Sequence, residues 1–229
     1  MRILLVEDNP EVITMFRDLT RDLPALEELH AATDQAEFHQ RFELDPNRYD
    51  VIVMDLMIDQ FVPLSDSENP QVPISGFKLI KEVLDRNPTA NIAVHTQFRH
   101  EQMILHAFRL GARCFMSKIR TDADTLLTNL VKLSRGELII DPGFSQSVKN
   151  KIIAYNDPYL TILKDDQIEL IELLLIDGMN VEAAAELLEY QSAYSVNNKV
   201  SKILKMIGFK KRRELLAHAK KAGLKAALP

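Results

Sequence analysis

Short apolar runs alternate with longer amphipathic stretches over the first 135 residues of the chain. The apolar runs lie at 3–6, 51–54, 92–94 and 114–116, with a weaker one at 29–32. The amphipathic stretches have helical spacing and lie at 10–22, 34–44, 76–86, 99–110 and 122–134. Continuous apolar runs are typical of strands buried on both faces, and helices between them favour parallel pairing. The pattern predicts an α/β fold, a doubly wound five-stranded parallel sheet.

The rest of the chain has a different character. Residues 136–158 contain Pro142-Gly143 and Asn156-Asp157-Pro158, which are typical of a linker, here with one short helix at 144–154. Helical patterns then follow at 165–177, 180–189, 193–207 and 211–222. Short helices joined by tight turns favour a small all-α helix-turn-helix domain. We therefore expect three parts: a domain at 1–135, a linker at 136–158 and a second domain at 159–229.

Composition excludes several classes of protein. No apolar run approaches the roughly 18 residues that a membrane helix needs, and the run at 3–6 is too short for a signal peptide. The single cysteine, Cys114, excludes an intramolecular disulfide and fits a reducing compartment. These observations predict a cytoplasmic protein without membrane association.

The net charge of −5 is unevenly distributed. Residues 193–229 carry ten basic side chains against one acidic side chain, Glu214, whereas residues 159–192 carry one basic and eight acidic side chains. A strongly basic end on an acidic protein favours contact with a polyanion. A helix with a solvated lysine face is the alternative on charge alone.

Each clear strand is followed by side chains suited to phosphate or metal chemistry: Glu7-Asp8, Asp55, Thr96 and Lys118. The carboxyl ends of neighbouring parallel strands border one crevice, which is where doubly wound sheets bind ligands. Three carboxylates there need a cation, and all-oxygen ligation suits Mg²⁺. Taken singly, each residue could be a helix cap or a solvated side chain. Their ordered recurrence at strand ends predicts a site in which Asp55 is a nucleophile toward phosphorus.

Residues 1–135 resemble the receiver domain of two-component response regulators. The resemblance is carried by Leu5-Val6-Glu7-Asp8-Asn9, Val51–Met57, Val94-His95-Thr96 and Phe115-Met116-Ser117-Lys118-Ile119. It implies that Asp55 is the phosphoacceptor and that Mg²⁺ is held by Glu7, Asp8, Asp55 and the Met57 carbonyl. It also implies that Lys118 offsets phosphoryl charge, while Thr96 and Phe115 form the switch pair. The chain departs from the family between Asp55 and Gly76, where it is longer by roughly a dozen residues, within 60–74.

Residues 159–225 resemble the LuxR/NarL-type helix-turn-helix output domain. The resemblance is carried by Gly178–Ala185, by Ser195–Val200 and by the apolar stripe of the second helix, which comprises Val196, Val200, Ile203, Leu204 and Ile207. Three departures accompany it. The opening segment 164–167 differs in wording, the turn at 189–195 is one residue longer, and Lys199 replaces the family's histidine.

The second resemblance implies that the helix at 193–207 reads double-stranded DNA. The candidate contacts are Ser195, Asn197, Asn198, Lys199, Lys202 and Lys205, followed by Lys210, Lys211, Arg212 and Arg213. Asparagine can bond adenine bidentately, and lysine can reach guanine or phosphate. The four basic residues after the helix are expected near the DNA backbone, where attraction is independent of sequence.

Together these features predict a DNA-binding transcription regulator, controlled by Mg²⁺-dependent phosphorylation of Asp55 by a sensor histidine kinase. We expect a homodimer and no enzyme in the ordinary sense. One alternative is a phosphorylation-dependent signalling adaptor whose output domain binds a protein. A metal-dependent hydrolase is a weaker alternative, because no general base for a water molecule is apparent.

Overall fold

The computed structural model describes residues 1–58, 75–98, 100–177 and 179–228. The chain divides into two compact units, Met1–Asp141 and Pro142–Pro229. The expected insertion at 60–74 and Gly178 lie outside the described residues. No helix in the described part is both long enough and apolar enough to cross a membrane.

The first unit is a five-stranded parallel sheet. Its strands are β1 (Arg2–Val6), β2 (Glu28–Ala32), β3 (Val51–Met54), β4 (Ile92–Thr96) and β5 (Cys114–Ser117). The spatial order is β2-β1-β3-β4-β5, and every neighbouring pair is parallel. This is the doubly wound order of the flavodoxin-like fold, which switches direction between β1 and β3. The predicted fold class is confirmed.

Helices connect the strands of the first unit: α1 (Pro10–Thr20), α2 (Gln35–Leu44), α3 (Ser75–Arg86), α4 (Glu101–Leu110) and α5 (Ala123–Ser134). The first begins as its sequence predicts. The Asn9 side chain accepts a hydrogen bond from the Glu11 N–H at 2.9 Å, and Pro10 occupies the first turn.

β3, β4 and β5 are buried along their whole length, because helices cover both faces of the sheet. On one face Leu5, Val53 and Cys114 pack in a cluster with Phe16 of α1 and Leu130 of α5. Cys114 is buried there as a core residue, and burial raises the pKa of its thiol to about 12. The carboxyl ends of the strands are where a doubly wound sheet builds its ligand site.

The second unit is helical throughout its described part. Its helices are α6 (Gln146–Asn156), α7 (Asp165–Leu174), α8 (Val181–Leu187), α9 (Ala193–Ile207) and α10 (Arg212–Ala222). The expected linker at 136–158 is divided between the units. Residues 136–141 lie with the sheet, and α6 packs on α7 because Ile152 and Ala154 are buried.

The stripe predicted for α9 forms its core-facing side. Val196, Val200, Ile203 and Ile207 are buried, and Leu204 packs partly buried against the same cluster. The helix starts at a Ser192 cap whose side chain accepts from the Ser195 N–H. It ends at Gly208, whose φ of +80° is the left-handed conformation that favours glycine.

Candidate functional site

Register brings the strand-end carboxylates together. Val6 of β1 is paired with Met54 of β3, so Glu7 and Asp55 are the next residues at the same edge of the sheet. The Asp55 N–H donates to the Val6 carbonyl at 2.9 Å, which ties the two strand ends to each other. Carboxylate oxygens of Glu7, Asp8 and Asp55 lie within 4.8 Å of one another. Three charges this close require a cation among them.

Lys118 supplies part of that positive charge. Its Nζ donates to Asp55 Oδ2 at 2.9 Å and to Glu7 Oε1 at 2.9 Å. Burial would lower the pKa of Lys118, but the two carboxylates outweigh it and raise that pKa. The pKa of Glu7 is also raised, mainly by burial and then by the charge of Asp55, although Lys118 opposes both effects. A single ammonium therefore leaves the cluster with excess negative charge.

One carboxylate oxygen of Asp55 accepts a hydrogen bond, and the other does not. Oδ2 is held by Lys118, whereas Oδ1 is buried and accepts no hydrogen bond from any described residue. A buried carboxylate oxygen without a donor is costly unless another ligand completes it. Glu7 is buried beside it and Asp8 is exposed at the rim. These all-oxygen donors with access to water fit a Mg²⁺ ion, which keeps several waters of its own.

Of the other residues predicted for the site, Thr96 and Met57 lie at the same edge, and Phe115 lies further back, inside β5. Thr96 ends β4 and is fully buried, and its Oγ1 accepts from the Phe98 N–H at 3.5 Å. The Lys118 N–H donates to the Thr96 carbonyl at 2.9 Å, which joins the ends of β4 and β5. Phe115 is buried within β5, with its ring inside the unit. Met57 lies half-buried in the turn that follows Asp55.

Gly76 is a site residue that sequence reasoning missed. A Cβ at this position would lie 2.4 Å from the Asp55 carbonyl oxygen and 2.5 Å from Leu56 Cα. The Gly76 N–H donates to the Leu56 carbonyl at 3.0 Å. The first turn of α3 therefore packs backbone to backbone against the segment that carries Asp55. The available signal was a glycine in the first turn of an otherwise amphipathic helix, where it weakens the helix without a packing reason.

A second, basic surface lies on α9 and after it. Asn197, Asn198, Lys202 and Lys205 are exposed, and Ser195 is half-buried at the start of the helix. Of the basic residues that follow, Lys210, Lys211 and Arg213 are exposed, while Arg212 is half-buried with Nη2 3.5 Å from the Met179 carbonyl.

Lys199 departs from the outward orientation expected for it. Its side chain is 19% exposed, and its Nζ contacts the carboxylate of Asp166 and the hydroxyl of Tyr190. The physical reason is its position on the helix: residue 199 borders the buried stripe, so its side chain reaches α7 and the turn before α9. Among the described residues predicted to contact DNA, Lys199 is the one whose side chain forms an ion pair within its own unit.

The 2-1-3-4-5 parallel sheet and the acidic, lysine-bearing edge define a flavodoxin-like receiver domain. The family model described as response regulator receiver domain matches residues 3–130. The chain belongs to this family.

Similarity to known proteins extends beyond the receiver. The oxygen regulatory protein NreC of Staphylococcus carnosus is 25% identical over 232 residues, covering 98% of this chain and 99% of NreC. The RcsB response regulator of Salmonella typhimurium has a TM-score of 0.52 at 16% identity and covers 96% of this chain and 99% of its own. RcsB in a complex with DNA has a TM-score of 0.50 at 16% identity, covering 97% and 98%. A LuxR-family response regulator from Aurantimonas has a TM-score of 0.51 at 22% identity, covering 68% and 96%. These structural likenesses extend the shared fold to the helical second unit.

Proposed function

We propose that this protein is a response regulator in which phosphorylation of Asp55 controls DNA binding by the second unit. The observation that carries the proposal is the cluster of Glu7, Asp8 and Asp55 with Lys118 Nζ 2.9 Å from Asp55. A sensor histidine kinase is the proposed phosphodonor, because the receiver family uses an aspartate to accept the phosphoryl group.

The chemistry assigned to the site is a single group transfer. An Asp55 carboxylate oxygen attacks phosphorus, the P–N bond to the donor's histidine breaks, and its electrons stay on the imidazole. Mg²⁺, held by Glu7, Asp8, Asp55 and the Met57 carbonyl, would neutralise charge on the phosphoryl oxygens. Lys118 then moves its ion pair from the Asp55 carboxylate to the acyl phosphate. The acceptor is the protein's own side chain, so the protein is a regulator and not an enzyme in this scheme.

Thr96 and Phe115 are the proposed switch pair. The Thr96 Oγ1 accepts a long hydrogen bond from the Phe98 N–H at 3.5 Å, and its own O–H would donate to a phosphoryl oxygen. A hydrogen bond between them draws the end of β4 toward Asp55. Phe115 is buried in β5, the strand paired with β4. Phosphorylation thus favours one arrangement of the α4-β5-α5 face, which we propose leads to homodimerisation.

DNA binding is assigned to α9 and the basic residues after it. Asn197, Asn198, Lys202 and Lys205 present amide and ammonium groups of the kind that reads base edges and phosphates. RcsB, which shares the fold at 16% identity, was solved in a complex with DNA. A two-fold dimer would read half-sites about one helical turn apart.

Labelling with a small phosphodonor tests the receiver half. The native protein should be labelled in the presence of Mg²⁺, and Asp55→Asn should not be labelled. Asp8→Asn, which leaves the acceptor intact, should retain labelling but require more Mg²⁺. Labelling of Asp55→Asn at the native level would contradict the assignment.

Capture of genomic DNA fragments tests the output half. The purified protein is compared with and without Mg²⁺ and beryllofluoride, which mimics the acyl phosphate. Discrete sites enriched more strongly with the mimic support the proposal. Enrichment that ignores the mimic retains DNA binding and removes the switch. No enrichment from folded protein would favour the adaptor, whose partner is a protein.

A further inference from the structure

Three departures from the output-domain pattern meet at one point of the second unit. Asp166 belongs to the divergent opening segment at 164–167, Tyr190 to the lengthened turn at 189–195, and Lys199 replaces the family's histidine. Asp166 precedes Lys199 by 33 positions along the chain, and Tyr190 precedes it by 9. Lys199 Nζ nevertheless contacts both the Asp166 carboxylate and the Tyr190 hydroxyl. We name this group the Lys199 clamp.

The charges of Lys199 and Asp166 stabilise each other in the Lys199 clamp. Burial lowers the pKa of Lys199, but hydrogen bonds from its ammonium to Asp166 and Tyr190 outweigh burial and raise that pKa. The same ion pair lowers the pKa of Asp166. Both partners are therefore charged at neutral pH. The lysine side chain is 19% exposed and the Asp166 side chain is 58% exposed, so water partly screens the pair.

The position of the clamp on α9 separates it from the outward face. Asn198, Lys202 and Lys205 recur at helical spacing on the side opposite the buried stripe, and all three are exposed. Lys199 instead flanks the stripe and points toward α7. Within the described part of the second unit, Lys199 is the lysine of α9 that forms an ion pair.

We propose that Lys199 is a positioning residue, which fixes the second turn of α9 against α7 and the turn before α9, and that it does not contact DNA. This inference rests on the DNA binding proposed above only in its second part. The turn before α9 is one residue longer than in the output-domain pattern, and the Lys199 clamp holds this turn in place. On α9, contact with DNA is thereby left to the exposed residues Asn197, Asn198, Lys202 and Lys205, with adenine matching the asparagines and guanine or phosphate matching the lysines.

Hydrogen exchange of the full chain without DNA tests the clamp. The variants are Lys199→Gln, Asp166→Asn and the double variant, with Lys202→Gln as the matched control on the same helix. We expect amides at 188–198 to exchange about two- to fivefold faster in each single variant, the range for a partly exposed ion pair. The double variant should exchange no faster than the singles, because both remove one interaction. Unchanged exchange in Lys199→Gln, or additive effects, would overturn the clamp.

DNA affinity as a function of salt tests the second part. Lys202→Gln should bind DNA several-fold more weakly and reduce the slope of log affinity against log salt by about 1, as expected when one phosphate-contacting cation is lost. Lys199→Gln should keep the native slope. An equal reduction in both variants would show that Lys199 touches DNA and would overturn this part. Absence of DNA binding by the native chain would instead contradict the proposed function, while the exchange result still decides the clamp.

Discussion

The ammonium of Lys118 lies 2.9 Å from Asp55 Oδ2 and also bonds Glu7, so one lysine just after β5 holds two carboxylates that follow β1 and β3. The open Asp55 Oδ1 lies on the same carboxylate. One oxygen of the Asp55 carboxylate is thus neutralised by the Lys118 ammonium, and the other has no hydrogen-bond donor among the described residues. This asymmetry gives an incoming cation or phosphoryl group a defined place to bind.

Replacing Lys118 with Gln should destabilise the first unit and make its stability depend on Mg²⁺. Glu7 and Asp55 would then face each other inside the protein without a counter-charge, which costs about 3 kcal/mol when a buried pair loses one partner. Added MgCl₂ should recover part of the loss, because the ion replaces the missing positive charge. Thermal unfolding with and without MgCl₂ measures both effects. Lys132→Gln, an exposed lysine on α5, is the control, and equal midpoints for the two variants would contradict the expectation.

Gly76→Ala should disturb Asp55 without touching its side chain. The added Cβ would lie 2.4 Å from the Asp55 carbonyl oxygen, a backbone atom that cannot turn aside. Overpacking of this kind costs about 1–3 kcal/mol and shifts the backbone. Unfolding and phosphodonor labelling should therefore both be impaired. Lys78→Ala, exposed on the same helix, should affect neither, and full labelling of Gly76→Ala would show that the contact relaxes harmlessly.

Burial of His95 should make the stability of the first unit fall at acid pH. It is 2% exposed, packs edge to face on Phe16 at 5.2 Å, and its Nδ1 has no hydrogen-bond partner in the described structure. Burial, followed by the charge of Lys118, lowers its pKa from 6.5 to about 3. The unfolded chain therefore binds the proton first. The stability that depends on neutral His95 is therefore fully present above pH 6.5, and it is lost as the pH falls toward 3.

The slope expected from His95 is about 1.4 kcal/mol per pH unit between these limits. His95→Leu should remove that part of the slope, whereas carboxylates elsewhere contribute equally to both proteins. Denaturant unfolding from pH 4 to 7 measures the difference. His100→Gln, at an exposed position, should keep the native slope. Parallel curves for His95→Leu and the native protein would refute this reading of His95.

Burial of Glu172 should make the stability of the second unit fall as the pH rises, which is the opposite direction to the effect of His95. It is 3% exposed, and burial raises its pKa from 4.5 to about 7 despite hydrogen bonds from Ser147 and Asn150. The folded state holds the proton between these values, so stability is complete below pH 4.5 and is lost as the pH rises through 7. Glu172→Gln should stabilise the unit at pH 8 by about 2–3 kcal/mol and have little effect at pH 4.5.

Unfolding of the Glu172→Gln variant at both pH values measures this difference. Glu186→Gln, an exposed change on α8, should leave stability unchanged at both. A gain of equal size at the two pH values would show that titration of Glu172 is not its cause.

Local pattern was enough to predict the elements and the place of the site. Buried strands such as β3 are continuous apolar runs, and α9 repeats its apolar residues every three or four positions, so each is readable from nearby residues. Parallel pairing then brings Glu7, Asp55 and Lys118 to one edge, because the carboxyl ends of all the strands meet there. The predicted sheet and the strand-end residues followed from these local rules, whereas the receiver family was predicted from the resemblance of the strand-end motifs.

Tertiary structure alone decided which groups touch and with what protonation. Gly76 packs against the backbone of Asp55, and Lys199 reaches Asp166 across 33 positions of sequence. No periodicity encodes such distances, because they depend on how elements dock. The raised pKa of Glu172 likewise comes from burial at the packing of α6 on α7. The sequence by itself determined where chemistry-bearing side chains emerge, and long-range packing decided which of them face solvent and which hold one another.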